Sequence, residues 1–302
     1  MDPIQVKHVL WRYRPGEHPR AKGAQGVGYE DRFYDAPELP TELNNIEDKL
    51  MEMENIAAPH IAQLRRGEVA MLTAQQKAEL STFLSILLTR TPLYREMVNS
   101  VLTQFHRVSA KKMLHEEGGV EQLVESTVRL GGERVDVEKA REAMQSFVNN
   151  DIVMTQTSKA WNIKEMFENA EKYDNLFVRM RWNLLRAPAD EPFITSDNPV
   201  LLIDPARAAA KSPKEYRAPS FAAQFQFPLS PRYMLVGDFR GPNLQVVPLT
   251  AAKVRGYNAN QLRHSHKEVY ASYRSDALQR ALERRVRERE PLIPTIPDDA
   301  LD

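Results

Sequence analysis

Four consecutive residues, Ser196, Asp197, Asn198 and Pro199, interrupt two apolar runs and carry groups suited to chemistry. A hydroxyl, a carboxylate and an amide at the end of a rigid strand could orient a substrate or a water molecule. The same tetrapeptide favours a β-turn, because Asp and Asn side chains hydrogen-bond the backbone two residues on. Pro199 also disfavours helix at the residue before it. Spacing alone favours the turn, and the catalytic interpretation needs further support.

Three charged residues on two predicted helices are the next candidates. Glu47 and Glu54 are seven residues apart, which places them on one face of a helix. Arg90 ends the following helix, where its guanidinium could bind a carboxylate or a phosphate through two hydrogen bonds. Each has a structural alternative. The glutamates could form a solvated acidic face, and Arg90 could interact with the last carbonyl groups of its helix.

The elements that must position these groups change in type along the chain. Over residues 41–175, apolar residues recur three or four apart, which predicts a mostly helical part. Its most apolar helix follows the capping-box pattern of Thr73 and Gln76. From residue 176 onward, short alternating runs are separated by Gly and Pro, which predicts a mainly antiparallel sheet. Helices first and strands second favour an α+β fold rather than an alternating parallel α/β fold.

The predicted architecture is one compact unit, with a largely helical N-terminal two-thirds packed on a C-terminal sheet. We expect one α+β domain over residues 1–290. Within it, residues 1–40 would be irregular with a short strand, 41–175 helical and 176–290 sheet-containing. Residues 291–302 hold three prolines and predict a loose tail.

Composition excludes several classes of protein. The 302 residues are 42% hydrophobic, enough for a substantial core. Lysine and arginine number 41 against 41 aspartates and glutamates, so no global charge favours nucleic acid or membrane. The absence of cysteine excludes disulfides, thiolate metal sites and a cysteine nucleophile. Without a signal-peptide core or a long apolar run, we expect a soluble, cytoplasmic protein with no membrane partner.

Several separated motifs occur in a recognisable order. They are His8, Phe33-Tyr34, Glu47 with Glu54, Arg90-Thr91-Pro92, Trp182, Ser196 to Pro199, Phe227 to Pro231, and Asn258. Each motif is weak alone, but the ordered set resembles an uncharacterised, mostly bacterial family, the domain-of-unknown-function family numbered 4238. The resemblance covers residues 8–272. It implies the fold and a list of site residues, without a reaction.

The polar positions of that pattern imply a site between the helical part and the sheet. The catalytic candidates are His8, Glu47, Glu54 and Asp197, and the substrate-binding candidates are Arg90, Ser196, Asn198 and Asn258. A histidine with carboxylates can act as general acid and base, and an arginine can hold a phosphate. The hypothesis is a hydrolase or nuclease-like enzyme acting on an anionic substrate.

Two alternatives stay open. The same groups could form a buried polar network in a non-catalytic ligand- or partner-binding module. Three carboxylates and a histidine would also suit magnesium or manganese, but no compact metal-ligand motif is present, so we assign no metal site and no cofactor.

Charge is distributed unevenly along the chain. Residues 253–290 hold ten lysines and arginines against five acids. This region could contact RNA or DNA, or it could be a solvated helix paired with nearby acids. A small-molecule partner and a nucleic-acid partner both stay open, and so does the oligomeric state.

Overall fold

The computed structural model describes residues 9–23, 45–150, 155, 157–205 and 220–288. They form two compact units. The first contains residues 9–23, 45–95, 158–205 and 220–288, and the second contains residues 96–150, 155 and 157. The single domain expected over residues 1–290 stays a prediction. The boundary at residue 96 falls inside a continuous helix, so no linker in the sequence marks it.

Eight α-helices and nine strands form within the described ranges. The helices are α1 (Ile46–Arg65), α2 (Ala74–Thr89), α3 (Pro92–His115), α4 (Gly119–Arg129), α5 (Val137–Asn149), α6 (Lys159–Arg179), α7 (Ala251–Arg263) and α8 (Asp276–Arg287). The strands are β1 (Val9–Tyr13), β2 (Arg20–Gly23), β3 (Arg181–Arg186), β4 (Thr195–Ser196), β5 (Leu201–Ile203), β6 (Gln224–Pro228), β7 (Tyr233–Asp238), β8 (Gln245–Pro248) and β9 (Val269–Ala271). Most helices precede residue 180 and most strands follow it, which confirms the predicted α+β class. No helix in these ranges is long and apolar enough to cross a membrane.

Helix α2 is central to the first unit and begins where the sequence predicts. The Thr73 side chain accepts from the backbone N–H of Gln76, and the Gln76 side chain accepts from the backbone N–H of Thr73. This capping box satisfies N–H groups that lack a partner within the helix. Leu84 is fully buried, and α2 packs against both α1 and α6. The buried Ser81 is tolerated because its hydroxyl donates to the Lys77 carbonyl at 2.9 Å.

A five-stranded sheet in the order β5-β6-β7-β3-β8 carries the main core. All neighbours are antiparallel except β3 and β8, which are parallel. The buried Trp182 on β3 makes an edge contact with Phe225 on β6, with ring centroids 5.3 Å apart. Its indole N–H donates to the Phe177 carbonyl at 2.9 Å. Gly237 lies opposite Phe225, where an added Cβ would come within 2.1 Å of the ring, so only glycine fits.

A four-stranded antiparallel sheet in the order β2-β1-β9-β4 brings together distant parts of the chain. Tyr270 on β9 lies between Arg12 of β1 and Thr195 of β4. One face of this sheet packs against α8 through Tyr13 and Leu282. The Tyr13 hydroxyl donates to the Tyr273 carbonyl at 2.6 Å and accepts from the Ser275 N–H at 2.7 Å.

The two short strands predicted around the Ser-Asp-Asn-Pro turn are present, but they belong to different sheets. β4 precedes the turn and joins the four-stranded sheet, whereas β5 follows it and joins the five-stranded sheet. The turn is therefore the point at which the chain passes from one sheet to the other.

The second unit is helical in its described part. It contains most of α3 together with α4 and α5, and its buried residues include Val108, Val120 and Val124. Arg141 of α5 forms an ion pair with Glu121 of α4 at 3.2 Å. None of the predicted site residues lies in this unit.

Candidate functional site

The Asp197 carboxylate is held by three successive backbone N–H groups. Its Oδ1 accepts from His266 at 2.8 Å, and its Oδ2 accepts from Lys267 at 2.6 Å and from Glu268 at 2.9 Å. The Asp197 N–H in turn donates to the Glu268 carbonyl at 3.1 Å. Successive N–H groups of this kind form an anion-binding concavity. Here the anion is the protein's own side chain, and it joins the turn to the segment that leads into β9.

Ser196 is buried, and its hydroxyl is engaged on several sides. Its Oγ accepts from the Asn198 N–H at 3.2 Å and lies within donating distance of Gln261 Oε1 at 3.1 Å. The Asn198 carbonyl oxygen is also within reach, at 3.0 Å. Only 4% of the residue's surface is exposed. A hydroxyl in this position stabilises the turn, and the substrate-binding role of Ser196 stays a prediction.

Helix α7 supplies the amides that complete this network. Asn258 donates from Nδ2 to the Pro192 carbonyl at 2.9 Å and accepts at Oδ1 from the Ile194 N–H at 3.1 Å. Gln261 donates to the Pro199 carbonyl at 3.2 Å. Both side chains are buried, so they replace water as partners for backbone groups on either side of the turn.

The same helix also reaches the other sheet. Asn260 donates from Nδ2 to Gln226 Oε1 on β6 at 3.2 Å. Because Asn258 and Gln261 contact the chain around β4 while Asn260 contacts β6, α7 ties the two sheets together. We name Ser196, Asp197, Asn198, Asn258 and Gln261 the turn network.

Asn198 leaves one polar atom without a partner. Its Nδ2 donates to the His264 carbonyl at 3.1 Å, whereas its buried Oδ1 has no hydrogen-bond partner among the described residues. The residue is 6% exposed. The Asn198 side chain is therefore held by the one hydrogen bond that its Nδ2 donates. It lies inside the turn network rather than at its surface.

The predicted charged residues on the helices form a separate group. Arg90 donates to Glu54 at 2.9 Å, joining the end of α2 to α1, with half of the Glu54 side chain exposed. Glu47, in the first turn of α1, is exposed and has no hydrogen bond or ion pair with a described residue. Neither glutamate contacts the turn network, so the structure brings together two sets of predicted residues without a contact between them.

His8 lies outside the described residues, and its catalytic role stays a prediction. Val9, which follows it, begins β1, whereas Tyr13 at the other end of β1 pairs with Val269. Strands rise about 3.3 Å per residue. Val9 is therefore about 13 Å along the strand from the end that lies beside Asp197 and Glu268.

One protein-family model, described as "Protein of unknown function (DUF4238)", matches residues 5–275. The chain belongs to this family. The matched range contains every predicted site residue and the whole turn network, and it confirms the resemblance drawn from the ordered motifs. Neither the curated proteins nor the solved structures provide a match to the chain.

A partly buried charged cluster in this DUF4238 protein was missed by the sequence analysis. Glu268 accepts from Arg14 and from the Tyr270 hydroxyl, and Arg12 approaches it at 3.5 Å. Glu17 bridges the same two arginines, at 3.0 Å from Arg12 and 3.3 Å from Arg14. Burial alone would lower the pKa of Arg14, but its bonds to Glu268 and Glu17 raise it above the ordinary value. Arg20 also lies 3.9 Å from Glu17, so three arginines surround two glutamates in this cluster.

The signal that could have found this cluster is the alternation of Arg12 and Arg14 on a strand. Residues two apart on a strand share a face. Nothing local, however, indicates that β1 pairs with β9, more than 250 residues away, and so places Arg14 beside Glu268.

A second contact missed by the sequence analysis is a histidine–carboxylate pair. His60 Nε2 on α1 lies 2.6 Å from Glu79 Oε2 on α2. Gln75 donates to the other Glu79 oxygen at 2.9 Å. The hydrogen bond from Gln75, followed by that from His60, lowers the pKa of the Glu79 carboxyl. The pair is half-buried and lies between the two helices.

The residues that the structure describes contain no set of metal ligands. Across residues 9–23, 45–150, 155, 157–205 and 220–288, no group of three or more His, Cys, Asp and Glu side chains is placed to hold a metal ion. The alternative that three carboxylates and a histidine suit magnesium or manganese stays a hypothesis from residue types.

His264, at the end of α7, has a lowered pKa. Its Nδ1 donates to the Asn260 carbonyl at 3.0 Å. Burial lowers its pKa below the usual value; the Asn260 bond opposes this shift, while Arg263 and Arg285 add to it. The folded protein therefore resists protonation of this ring more than the unfolded chain does.

We expect His264 to make stability depend on pH. With a folded pKa below the unfolded value of about 6.5, the unfolded state binds more protons in this window. The stabilisation is thus complete above about pH 6.5 and is lost as the pH falls toward the folded pKa, by at most about 1.4 kcal/mol per pH unit. Urea denaturation at several pH values measures this effect. As the pH falls, the free energy of unfolding should decrease less in His264→Asn than in the wild type. An identical pH dependence in both proteins would contradict this assignment.

Proposed function

We propose that this DUF4238 protein is a non-catalytic ligand- or partner-binding module in which the Ser-Asp-Asn-Pro turn is structural. The observation that supports this proposal is the Asp197 carboxylate, both of whose oxygens accept backbone N–H groups from residues 266–268. A catalytic carboxylate needs an oxygen directed at the substrate or at a water molecule. Asp197 directs its oxygens at its own chain.

The neighbours of Asp197 support the same proposal. Ser196, Asn198 and Asn258 are each at most 9% exposed and hydrogen-bond backbone or amide groups. Buried polar groups that are mutually satisfied make a fold rigid and specific. The family's polar pattern is then explained by the need to join two sheets through α7. In this interpretation binding takes place on a surface that the turn network supports.

The second candidate is the hydrolase or nuclease-like function, and one observation favours it. His60 and Glu79 form a histidine–carboxylate contact of 2.6 Å. A carboxylate that orients an imidazole is the arrangement found in many general bases. Arg90 lies eleven residues beyond Glu79, about 16 Å farther along α2 and its end, and does not complete the same pocket.

Hydrolysis assays on matched variants test the proposal. We expect purified protein to show no hydrolysis of p-nitrophenyl phosphate or bis-p-nitrophenyl phosphate, with magnesium or manganese, above the level of His60→Gln and Asp197→Asn. A catalytic acid or base contributes about 10²–10⁴-fold, so a real activity would be visible. Glu52→Gln is the control for a lost exposed carboxylate on α1. Hydrolysis that falls at least about 100-fold in a variant with unchanged thermal unfolding would overturn the non-catalytic proposal.

A further inference from the structure

The outer face of α8 carries three arginines, Arg280, Arg284 and Arg287, all exposed. With about 100° of rotation per residue, they lie within about 60° of one another around the helix axis. Leu278 and Leu282 lie on the opposite side and pack into the core beneath the four-stranded sheet. The centre of the solvent-facing side is therefore cationic.

These arginines are not paired with acids of the same region. Across the part of the chain that the structure describes, none of the three forms an ion pair with an Asp or a Glu. Three acids lie on or at the end of α8: Asp276 pairs with Arg274 at 3.9 Å, Glu283 accepts from Gln279 at 2.9 Å, and the exposed Glu288 follows the last turn. The predicted alternative of a solvated helix paired with nearby acids is therefore not supported by an ion pair of these three arginines.

Two more exposed cations lie at the end of α7, beside α8. Arg285 donates to the Arg263 carbonyl at 3.0 Å and to the His266 carbonyl at 3.4 Å, which fixes the C-terminal half of α8 against residues 263–267. The exposed side chains of that segment are Arg263 and Lys267. We name the five cations Arg263, Lys267, Arg280, Arg284 and Arg287 the basic face.

Helix dipoles account for only part of this arrangement. Cations in the last turn stabilise a helix C-terminus, which accounts for Arg284 and Arg287 on α8 and for Arg263 on α7. Arg280 lies two turns before the end of α8, and Lys267 lies beyond α7. The number and clustering of the five cations exceed what two helix ends require.

We propose that the basic face binds the phosphodiester backbone of a nucleic acid, independent of base sequence. This inference rests on the proposed function, because it names the partner class of the binding module. Arginine binds phosphate bidentately, and the three arginines of α8 are separated by about 6 Å and 4.5 Å along the axis. Phosphates along one strand of a duplex recur about every 3.4 Å, so neighbouring phosphates are within reach of neighbouring arginines.

A membrane surface fits less well. Helices that lie on membranes bury an apolar face in the lipid. The apolar side of α8 is already occupied by Tyr13 and the other core residues of the four-stranded sheet. Nucleic acid requires only the cations, and it supplies a denser array of phosphates.

Fluorescence anisotropy with labelled nucleic acid tests the basic face. The full chain is titrated onto a duplex and a single strand of about 20 nucleotides at about 50 mM salt and above. We expect the triple variant Arg280→Gln/Arg284→Gln/Arg287→Gln to bind about 100-fold more weakly, or about fivefold per arginine. We also expect the slope of log K against log salt to decrease by about 3, or about one per lost phosphate contact. The duplex and single-strand arms show which form of the phosphodiester backbone is preferred.

A matched control keeps the change in net charge equal. Arg65→Gln/Arg232→Gln/Arg240→Gln also removes three exposed arginines, and all three lie outside α7 and α8. We expect this variant to lose no more than about threefold in affinity and to keep the salt slope of the wild type. Circular dichroism should show that both triple variants remain folded, because every replaced side chain is exposed.

Three results would overturn the inference: no binding at about 50 mM salt, equal weakening by both triple variants, or binding to phosphatidylserine vesicles without binding to nucleic acid. The proposed function is judged separately, from the length of the probe on a denaturing gel after incubation. Cleavage by the wild type that is lost in a folded Asp197→Asn would overturn the non-catalytic proposal even if the basic face binds. An intact probe with no binding would reject the basic face alone.

Discussion

Asp197→Ala is expected to lower the free energy of unfolding by about 3 kcal/mol or more. The substitution leaves the N–H groups of His266, Lys267 and Glu268 without their acceptor. Hydrogen bonds to a charged group contribute about 1.5–3 kcal/mol each, and three bonds to one carboxylate are not additive. Asp197 is half-buried, so water replaces part of the loss. Urea denaturation followed by circular dichroism measures the change.

Two further variants sharpen this test. Asp190→Ala removes an exposed aspartate from the same region and should change stability by less than about 0.5 kcal/mol. The loss of stability in Asp197→Asn should lie between those of Asp197→Ala and Asp190→Ala. The amide keeps one acceptor oxygen but turns an NH₂ group toward an N–H donor. If Asp197→Ala unfolds like the wild type, the carboxylate does not stabilise the turn network. Asp197 would then again be a candidate catalytic residue.

Trp182→Ala is expected to destabilise the protein by about 3–5 kcal/mol, the usual loss for a large aromatic residue in a core. The ring is fully buried against Phe225 and Phe177. Removing it leaves a cavity and also leaves the Phe177 carbonyl without the indole donor at 2.9 Å. The midpoint of urea denaturation, with the slope unchanged, reports this loss.

A matched aromatic control is available on the surface. Phe221 is 73% exposed, and Phe221→Ala should cost less than about 1 kcal/mol. Trp182→Phe keeps an aromatic ring but loses the indole donor, so its loss of stability should lie between those of Trp182→Ala and Phe221→Ala. A loss below about 1 kcal/mol for Trp182→Ala would mean that the five-stranded sheet is not the main core of the first unit.

Local structure was largely predictable, because local forces determine it. The capping box of Thr73 and Gln76 forms as predicted, since both partners lie within one turn of the chain. The burial of Leu84 and Leu87 follows from their spacing on α2. The short strand that ends at Tyr13 and the two strands around the turn are also present.

Strand pairing was not predictable from the same patterns. Nothing in the residues of β1 specifies that it pairs with β9, because pairing between distant segments depends on the whole topology. The charged cluster of Arg12, Arg14 and Glu268 exists only because of that pairing. Likewise, the segments on either side of the Ser-Asp-Asn-Pro turn are both short apolar runs. Their strands nevertheless belong to different sheets.

The sequence by itself determined that the chain is an α+β protein of this family and that Ser196 to Pro199 form a turn. It also showed that the region containing α8 carries an excess of cations. Only the tertiary structure decided where the side chains of the turn point. The three N–H groups that hold Asp197 come from residues about 70 positions later, and the amides beside Ser196 come from α7. A buried hydrogen bond requires its partner in space, and residue types and spacing do not contain that information.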